Sequence, residues 1–443
     1  MRDFTVQELE KLSEKGYEIW QKLKINQKLS REELNALKDK KFVRMVKHAY
    51  ENVPMYRKKY DQHGVNISEI RGVKDIAKLP IIEKDDLIEN FPHDTLAEGY
   101  NLDNVQTAIT GGSSGKVVRV AYSNETMIER VVTAYRIYNM MMDGYPEHYR
   151  QTYVYTGKYP MESLPGGRFP LTHIWTLDSM EVAKEKLINS KPHMLTLYPS
   201  KLKEILGALT ENDIEKIKTN LLCINVKSEM SLQKERDEWS KIFGVPVLDE
   251  YGSEELAGTV AAQCRHGGYH IWEDINIVEV VDENNEVIQN YELGELVATN
   301  LYNWAMPIIR YRQGDLIKLK PEGTTCACGR IFHMIDEFEG RNNSKFVTRE
   351  GKEYVPGFLL DVGYTRLMKY GKALASWQLI QENFDNVYFD CVPTNLMNED
   401  IKQSIEKEVG ELLDHNFNVK VRFVDEIKIT PRGKRNQIIS HIN

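Results

Sequence analysis

The sequence has few cysteines and no long apolar segment. Its 443 residues include only five cysteines, too few for a disulfide framework in a chain of this length. No run approaches the roughly 18 consecutive apolar residues that a membrane-spanning helix needs. The opening "MRDFTVQELEKLSEKGYEIW" is charged and helical in periodicity, without the apolar core of a signal peptide. These absences predict a cytoplasmic protein without a membrane span.

The chain has no excess of positive charge. The chain has 58 Lys and Arg residues against 66 Asp and Glu residues, for a net charge of −8. Because nucleic acids are held largely by Lys and Arg on their phosphates, we predict no nucleic-acid partner. A local basic pocket for a nucleotide is still compatible with this balance. The length predicts two to three domains.

Most of the chain alternates between strand and helix patterns. Residues 1–90 have helical apolar spacing, and strands then alternate with helices from about Val105. Short β-rich runs occur at "QTYVYTG", "HMLTLYP", "LLCINV" and "VPVLDEYG". Residues 268–320 are strand-rich. The alternation predicts an α/β fold with mixed and mainly parallel sheets.

The last hundred or so residues change character. "SWQLIQENFDNVYFDCVP", a helical "NEDIKQSIEKEVGELLDHN" and "VKVRFVDEIKI" predict a small α+β unit. We place the boundary near Arg341, which gives a large domain at 1–340 and a small one at 341–443.

A glycine-rich loop, "ITGGSSGKVV", joins two predicted strands. It does not match the P-loop, because Thr110 stands where that motif has glycine and Val117 stands where it has Ser or Thr. Its backbone N–H groups, hydroxyls and lysine nevertheless suit an anion. The alternative is a plain hairpin tip. The candidate phosphate-binding residues are Thr110, Gly111, Gly112, Ser113, Ser114, Gly115 and Lys116.

Two further motifs carry groups that suit a nucleotide. In "DEYGSEE", Tyr251 offers an aromatic face at a strand end, and Glu254 offers a carboxylate for Mg²⁺. In "RYRQGDL", Asp315 at a turn suits the two hydroxyls of a ribose. The alternatives are an ordinary acidic turn and an Asx-turn.

Two basic motifs follow toward the C-terminus. Arg341 in "EGRNNSKF" lies at the proposed boundary, where a hinge is expected. Lys434 in "KITPRGKRNQI" is a mobile positive charge suited to phosphate. The alternative for Lys434 is a frayed, basic chain end.

The order of these motifs resembles the adenylate-forming superfamily, and within it the phenylacetate–CoA ligase family. The similarity extends to "KHAYENVPMYRKKYDQHGV", "IAKLPIIEKDDL", "GYHIWED" and "GELVATNLYNWAMPIIRYRQGDL". The tail "GKRNQIISHI" is more similar to the capsule-biosynthesis branch of the family. The resemblance implies a large N-terminal domain for ATP and the acyl group, followed by a small mobile C-terminal domain.

The resemblance also implies an activity. It is that of an AMP-forming acid–thiol ligase, which uses ATP and Mg²⁺ to convert a small, aryl carboxylate into an acyl-adenylate and passes the acyl group to CoA. One alternative is transfer to an amine, a hydroxyl or a carrier protein. A second is a nucleotide-binding protein without ligase activity. Family members are often dimers, so a homodimer is also implied.

The resemblance also implies roles for individual residues, motif by motif. The resemblance implies that Lys434 and Glu254 act in catalysis, that Tyr251 contacts the adenine and the substrate, and that Asp315 and Arg341 hold the ribose. The remaining nucleotide contacts lie in "VKSEM" and in the Tyr-Gly motif: Ser228, Glu229, Glu250, Gly252 and Ser253. Where the family often has Asp after Gly-Arg, this chain has Asn342.

Three cysteines and a histidine suggest a metal site within residues 260–330. Cys326 and Cys328 form Cys-x-Cys, and Cys264 precedes His266 and His270. Thiolate and imidazole ligands suit tetrahedral zinc, and the family resemblance implies a structural Zn²⁺. His270 fits the family pattern and His266 is the rival; idle thiols are the alternative to a metal site.

One helical stripe, "TAYRIYNMMMDGY", is a candidate for the acyl pocket. Tyr135 is its candidate substrate contact. Apolar residues at helical spacing more often belong to the core, which is the alternative.

Overall fold

The structure is a computed structural model of the whole chain. It describes residues 6–110, 117–144, 150–157, 170–288, 291–428, 430 and 434–442. In these residues the chain divides into two compact units. One comprises Met1–Gln313 with Lys318–Asp336, and the other comprises Gly314–Ile317 with Glu337–Asn443. The placement of a functional domain boundary at residue 341 stays a prediction.

The N-terminal part is helical, in agreement with its apolar spacing. Helix α2 begins at a capping box, in which the Ser30 hydroxyl accepts from the Glu33 N–H at 3.2 Å and the Glu33 carboxylate accepts from the Ser30 N–H at 2.8 Å. It ends just before Pro54, as the restriction on residues preceding proline requires. The helices of this part are α1 (Val6–Asn26), α2 (Arg31–Asn52), α3 (Pro54–Gln62) and α4 (Lys84–Asn90).

A separate two-stranded hairpin follows these helices. Its strands are β1 (Gln106–Ile109) and β2 (Arg119–Tyr122), which pair antiparallel. They correspond to the strands expected on either side of the glycine-rich loop.

An eleven-stranded sheet forms the centre of the large unit. Its strands run in the order β10-β11-β12-β13-β9-β8-β7-β6-β5-β3-β4. The segment from β4 to β7 is parallel throughout. These parallel strands are β3 (Gln151–Tyr155), β4 (Leu171–Trp175), β5 (Met194–Leu197), β6 (Cys223–Lys227) and β7 (Val247–Ser253). The predicted α/β fold with a parallel sheet is therefore confirmed.

Helices alternate with the parallel strands. Apolar side chains from strands and helices form one core there, in which Leu195, Ile224 and Val247 of the sheet meet Trp239 and Phe243 of a helix. The helices are α5 (Asn124–Met141), α6 (Met180–Ser190), α7 (Pro199–Ala208), α8 (Glu211–Lys218) and α9 (Gln233–Phe243).

The other half of the sheet is formed by the strand-rich region. The pairs β7–β8, β8–β9, β9–β13 and β10–β11 are antiparallel. The strands are β8 (Gly258–Gln263), β9 (Tyr269–Ile271), β10 (Asn276–Val281), β11 (Gly294–Asn300), β12 (Tyr311–Leu319) and β13 (Met334–Arg341).

The C-terminal unit is α+β. Its main sheet has the order β18-β17-β16-β19, with β16 and β17 antiparallel and the two outer pairs parallel. The elements are β14 (Phe346–Val347), β15 (Glu353–Tyr354), α10 (Pro356–Leu367), β16 (Leu374–Gln381), β17 (Asn386–Pro393), α11 (Glu399–Leu412), β18 (Asn418–Phe423) and β19 (Ile438–Ser440).

A buried ion pair ties helix α5 to the loop after β9. Arg136 Nη1 lies 2.7 Å from Asp274 Oδ2, and both side chains are fully buried. The guanidinium also lies 4.2 Å from the centre of the Trp272 ring. Because the protein interior cannot solvate a lone charge, removing one partner leaves the other charge buried and unpaired, at a high cost in stability.

We therefore expect Asp274→Ala to lower the free energy of unfolding by about 3–5 kcal/mol, measured by urea denaturation. Glu125→Ala is the matched control, since it removes an exposed ion pair between Glu125 and Lys15 and should cost at most about 1 kcal/mol. Equal losses in the two variants would contradict the prediction.

Candidate active site and metal centre

The parallel strands bring two of the sequence motifs side by side. Lys227, the last residue of β6, is in register with Glu250 of β7, so Ser228 comes just after the end of β6, whereas Tyr251 lies in β7, which continues to Ser253. Ligands of open α/β sheets bind beyond the carboxyl ends of such strands. Ser228 has φ +72°, a backbone conformation that costs energy for a residue with a side chain and that clusters at functional sites.

The Tyr-Gly motif is shaped by a close backbone approach. The register between β7 and β8 shifts between Tyr251 and Gly252. A Cβ atom at Gly252 would lie 2.9 Å from the Gly258 carbonyl oxygen, so only glycine fits there. Tyr251 is half-buried beside this bulge.

Glu254 is held by groups from two other elements. Arg130 of α5 forms two contacts of 3.0 Å with its two carboxylate oxygens. The Tyr122 hydroxyl at the end of β2 donates to the Glu254 backbone carbonyl and, at 3.1 Å, to its carboxylate. The carboxylate is about a quarter exposed. Because Mg²⁺ keeps several waters and uses only one or two protein carboxylates, an oriented and partly exposed Glu254 fits this ion.

The side chains of Glu250, Glu229 and Ser253 form hydrogen bonds with other groups of the protein. Glu250 is 3 % exposed and accepts hydrogen bonds from Asn225 at 2.6 Å, from Lys227 at 2.7 Å and from Thr259. Burial raises the pKa of Glu250, but these partners outweigh it and lower the pKa below its usual value. Its carboxylate therefore reinforces the β6–β7 edge.

Glu229 and Ser253 also have protein partners. Both Glu229 carboxylate oxygens accept from Ser200, one from its N–H and one from its hydroxyl, at 3.0 Å. This carboxylate therefore caps the N-terminus of α7. The Ser253 hydroxyl donates to Glu255 at 2.7 Å. Contacts from these side chains to a nucleotide stay a prediction.

The glycine-rich loop is described only at its first residue. Thr110 is buried, its N–H donates to the Val118 carbonyl at 2.8 Å, and its hydroxyl accepts from the Val118 N–H at 3.3 Å. Thr110 thus closes the hairpin at the base of the loop. The candidates Gly111, Gly112, Ser113, Ser114, Gly115 and Lys116 lie outside the described residues.

Asp315 and Arg341 meet in the C-terminal unit. Arg341 Nε lies 2.7 Å from Asp315 Oδ1, and Asp315 is 9 % exposed while the Arg341 side chain is about half exposed. Asp315 lies inside strand β12 and not at the turn that the motif predicted, and Gly314 before it adopts φ +78°, a backbone conformation that favours glycine. The structure therefore joins two residues, far apart in sequence, that the motifs predict to act together.

Lys434 lies at the closing end of a short loop in the same unit. The Thr430 N–H donates to the Lys434 carbonyl at 2.8 Å, and the Lys434 N–H donates to the Thr430 hydroxyl at 3.2 Å. The loop base is therefore pinned at the backbone of the lysine, so the chain there is not a frayed end.

The cysteines and the histidine form one cluster. The ligand atoms of Cys264, His270, Cys326 and Cys328 all lie within 4.8 Å of one another. Tetrahedral zinc with bonds of about 2.0–2.3 Å separates its ligands by roughly 3.5 Å. The cluster is close to that spacing, with 3.5 Å between the Cys264 and Cys326 sulfurs and 3.1 Å from the Cys328 sulfur to His270 Nε2.

The surroundings of the cluster favour His270 over the rival His266. His270 is fully buried, and its Nδ1 lies 3.4 Å from the Phe332 carbonyl oxygen. A hydrogen bond from Nδ1 to a carbonyl leaves Nε2 for a metal. His266 is exposed in the turn after Cys264 and does not belong to the cluster.

The thiols of the cluster differ in acidity. Burial raises the pKa of Cys264 to about 12. Burial also acts to raise the pKa of Cys328, but hydrogen bonds from His270 and Arg330 outweigh it and lower that pKa to about 5. The donor set of three sulfurs and one imidazole is closed and fits a structural Zn²⁺.

Tyr135 faces away from solvent. Its side chain on α5 is 5 % exposed, which agrees with the core alternative considered for its helical stripe. Its role as a substrate contact stays a prediction.

Sequence reasoning overlooked the residues that hold the motifs in place. Arg130 and Tyr122 of the Glu254 site lie more than a hundred positions from it, and the Phe332 carbonyl lies 62 positions from His270. Arg130 directly follows Glu129 in the sequence, so no isolated charge marked it as a partner of Glu254.

A family model matches the C-terminal unit. The model describes the CapK C-terminal domain and covers residues 354–441. Protein CapK of Staphylococcus aureus is 24% identical over 423 residues, which cover 93% of this chain and 90% of that protein. The prediction that the tail is similar to the capsule-biosynthesis branch agrees with this match.

Phenylacetate–CoA ligases are also similar to this chain in sequence. That of Aromatoleum evansii is 28% identical over 357 residues, which cover 73% of this chain and 74% of the ligase.

The fold is found in a solved acyl-CoA ligase. A 2-hydroxyisobutyryl-CoA ligase in its postadenylation state superposes with a TM-score of 0.76 over 94% of this chain and 91% of the ligase, at 18% identity. Among the described residues, no helix has the length and apolar character needed to cross a bilayer. The comparisons confirm the resemblance found in the motifs: the chain has the fold of adenylate-forming CoA ligases and is similar in sequence to the phenylacetate–CoA ligases and to protein CapK.

Proposed function

We propose that the protein is an AMP-forming acid–CoA ligase that activates a small carboxylic acid, with aryl acids as the first candidates. The observation that carries the proposal is the Glu254 site. An oriented, partly exposed carboxylate stands beside a half-buried tyrosine at the carboxyl ends of parallel strands, in a fold shared with acyl-CoA ligases. The phenylacetate–CoA ligases similar to this chain bear that activity in their names.

The first half-reaction joins two anions. A carboxylate oxygen attacks the α-phosphorus of ATP, the bond to the β-phosphate breaks, and pyrophosphate leaves with the electron pair. Repulsion between the carboxylate and the phosphates opposes this approach, so positive groups placed around them lower the barrier. Lys434 and the loop from Thr110 to Lys116 would supply such groups, and Mg²⁺ bound at Glu254 would neutralise phosphate charge.

The nucleotide would be held by the remaining motif residues. Tyr251 would stack on the adenine. Asp315, oriented by Arg341 at 2.7 Å, would accept hydrogen bonds from the ribose hydroxyls. Arg130 would keep the Glu254 carboxylate in place while the ion is absent.

The second half-reaction transfers the acyl group. The CoA thiolate attacks the acyl carbon of the adenylate, a thioester forms, and AMP leaves. The similar ligases have CoA in their names, which supports CoA as the acceptor. Transfer to an amine, a hydroxyl or a carrier protein would show as acyl-adenylate formation without a CoA-dependent product.

We further propose that Cys264, His270, Cys326 and Cys328 bind one structural Zn²⁺. The separations of their ligand atoms and the closed donor set support this assignment. The ion would tie the turn at Cys264 to the turn at 326–329, with no part in the chemistry.

Carboxylate-dependent exchange of labelled pyrophosphate into ATP tests the proposed function. The wild-type protein should catalyse exchange with at least one acid of a panel of aryl and short aliphatic acids. Glu254→Gln should lower that exchange about 10²-fold or more and raise the Mg²⁺ concentration needed, because it removes a charged ligand. Glu211→Gln, an exposed carboxylate at the start of α8, is the matched control.

Exchange that fails with every acid, in a protein that still binds ATP, would contradict the proposed function. That result would favour the nucleotide-binding alternative without ligase activity.

A further inference from the structure

The turn that carries Glu254 is held by the loop that follows β11. This turn spans residues 254–257, between β7 and β8. Nδ2 of Asn300, the last residue of β11, donates to the Leu256 carbonyl at 2.8 Å. The Tyr302 hydroxyl donates to the Ala257 carbonyl at 2.7 Å. Two successive carbonyls of the turn therefore depend on side chains that lie more than forty positions later in the sequence.

The backbone of this turn is strained and buried. Ala257 has φ +58°, a conformation that costs energy for a residue with a side chain and persists only where the surroundings fix it. Leu256 and Ala257 are fully buried, so bulk water is not in a position to replace the two donors. The direction in which Glu254 leaves the turn therefore depends on Asn300 and Tyr302.

Asn300 joins the turn to its own loop. Its side-chain oxygen accepts from the N–H of Tyr302 at 3.0 Å and from the N–H of Asn303 at 2.7 Å. Asn300 is fully buried, and Tyr302 and Asn303 are almost so. One buried amide thus connects the 254–257 turn with residues 300–303, which we name the 300–303 loop.

The 300–303 loop also holds the two elements from which Tyr122 and Arg130 contact the carboxylate of the turn. Asn303 Nδ2 donates at 3.0 Å to the carbonyl of Ala121, which precedes Tyr122 in β2. Asn303 Oδ1 accepts at 3.3 Å from the Thr126 hydroxyl. Thr126 lies four residues, about one helical turn, before Arg130 on α5. The loop therefore fixes the turn, β2 and α5 relative to one another.

A metal ligand binds well only when it is held in the geometry that the ion requires. Mg²⁺ demands nearly octahedral coordination with short bonds to oxygen, so a carboxylate that can swing loses affinity for it. Groups that orient a ligand without touching the ion typically change metal affinity by about 10–100-fold.

We infer that Asn300, Tyr302 and Asn303 are positioning residues of the Mg²⁺ site, which keep the Glu254 carboxylate and its two protein partners in one arrangement. The inference rests on the proposed function, because that function assigns Mg²⁺ to Glu254. It extends the site to a buried loop that contacts neither the ion nor the nucleotide.

ATP binding with and without Mg²⁺ tests the inference. Affinity for ATP is measured by calorimetry in Mg²⁺ and in EDTA, and the ratio of the two affinities is called the Mg²⁺ gain. Tyr302→Phe removes only the hydroxyl that reaches the Ala257 carbonyl, and it should lower the Mg²⁺ gain about fivefold while ATP affinity in EDTA stays unchanged. Asn303→Ala, which loses the contacts with β2 and α5, should also lower the gain.

The ratio distinguishes positioning from a general structural defect. A variant that merely loosens the nucleotide site weakens ATP binding in both solutions, so its Mg²⁺ gain persists. Tyr56→Phe is the matched control, because Tyr56 is a fully buried tyrosine of α3 whose hydroxyl donates at 3.1 Å to the Pro307 carbonyl, outside the 254–257 turn. Its Mg²⁺ gain should equal that of the wild type.

A double variant shows whether Tyr302 acts through Glu254. Glu254→Gln should lower the Mg²⁺ gain by itself. Adding Tyr302→Phe to it should cause no further loss, because the charged group that Tyr302 positions is already absent. A further loss as large as that of Tyr302→Phe alone would overturn the inference, since the loop would then act on another part of the site.

The outcomes separate the inference from the function on which it rests, because the binding measurement needs no acid. An unchanged Mg²⁺ gain in Tyr302→Phe, in a protein whose wild type catalyses pyrophosphate exchange, overturns the inference alone. Equal ATP affinity of the wild type in Mg²⁺ and in EDTA also overturns it. Exchange that fails with every acid, beside a Mg²⁺ gain that falls as expected, overturns the ligase function and supports the positioning role in a nucleotide-binding protein.

Discussion

Replacing Lys434 by alanine is expected to slow acyl-adenylate formation by about 10²–10³-fold, the effect of removing one charged donor from a preorganised site. ATP affinity should change little, because the lysine acts where charge builds up between the carboxylate and the α-phosphate. The measurement is pyrophosphate exchange with the best acid of the panel, together with ATP binding by calorimetry.

Two further variants distinguish the effect of the Lys434 charge from the effect of the backbone contacts at its loop. Lys428→Ala is the matched control, since Lys428 is exposed in the same segment and lies six residues earlier; exchange should persist. Thr430→Val removes the hydroxyl that accepts the Lys434 N–H at 3.2 Å and should lower exchange less than Lys434→Ala does. Equal exchange in the wild type and in Lys434→Ala would contradict a catalytic role and support a nucleotide-binding protein.

Loss of the metal cluster is expected to have the second largest effect. The double variant Cys326→Ser/Cys328→Ser should lose bound zinc and unfold at a lower urea concentration, with a free energy of unfolding reduced by about 4 kcal/mol or more. That figure is the stabilisation from a ligand present at about a thousand times its dissociation constant, and structural zinc is held at least as tightly. Elemental analysis and urea titration provide the two measurements.

The cysteines outside the cluster provide the control. Cys223 is buried in β6 and is not one of the four clustered residues, so Cys223→Ala should keep one zinc per chain. Wild-type protein that is free of zinc after expression in zinc-supplemented medium would contradict the metal assignment, as would a double variant that keeps full zinc content.

The local sequence was sufficient for the main elements of the fold. β-rich runs such as "QTYVYTG" and "LLCINV" correspond to β3 and β6, and the helical runs between strands correspond to α6, α7 and α9. Periodicity and turn residues act over a few positions, so they can be recognised without knowing the tertiary structure. The parallel arrangement then followed from the alternation of strands and helices.

The choice between His266 and His270 required the tertiary structure. Both lie within six residues of Cys264, and spacing alone left them open. In the structure β9 pairs antiparallel with β13, and His270 lies opposite Met334. This pairing points the His270 ring toward the turn that carries Cys326 and Cys328, whereas His266 stays in the exposed turn.

The environment of Glu254 also depended on long-range contacts. Its motif can be recognised in seven consecutive residues, but the groups that contact its carboxylate, Arg130 and Tyr122, come from α5 and β2. The same holds for Tyr155 and Ser228, whose hydroxyl oxygens lie 3.5 Å apart although a third strand separates β3 from β6. No local pattern encodes such pairs, because side chains from different elements meet only after the sheet has assembled.

By itself, the sequence determined the order of the elements, the ordered nucleotide motifs and the two ligand types of the metal cluster, because each motif consists of residues close together along the chain. Only the tertiary structure decided which histidine joins the cysteines and which groups orient Glu254. Those features depend on the packing of separate elements and on strand register: a shift of one residue between β9 and β13 would turn His270 to the other face of the sheet.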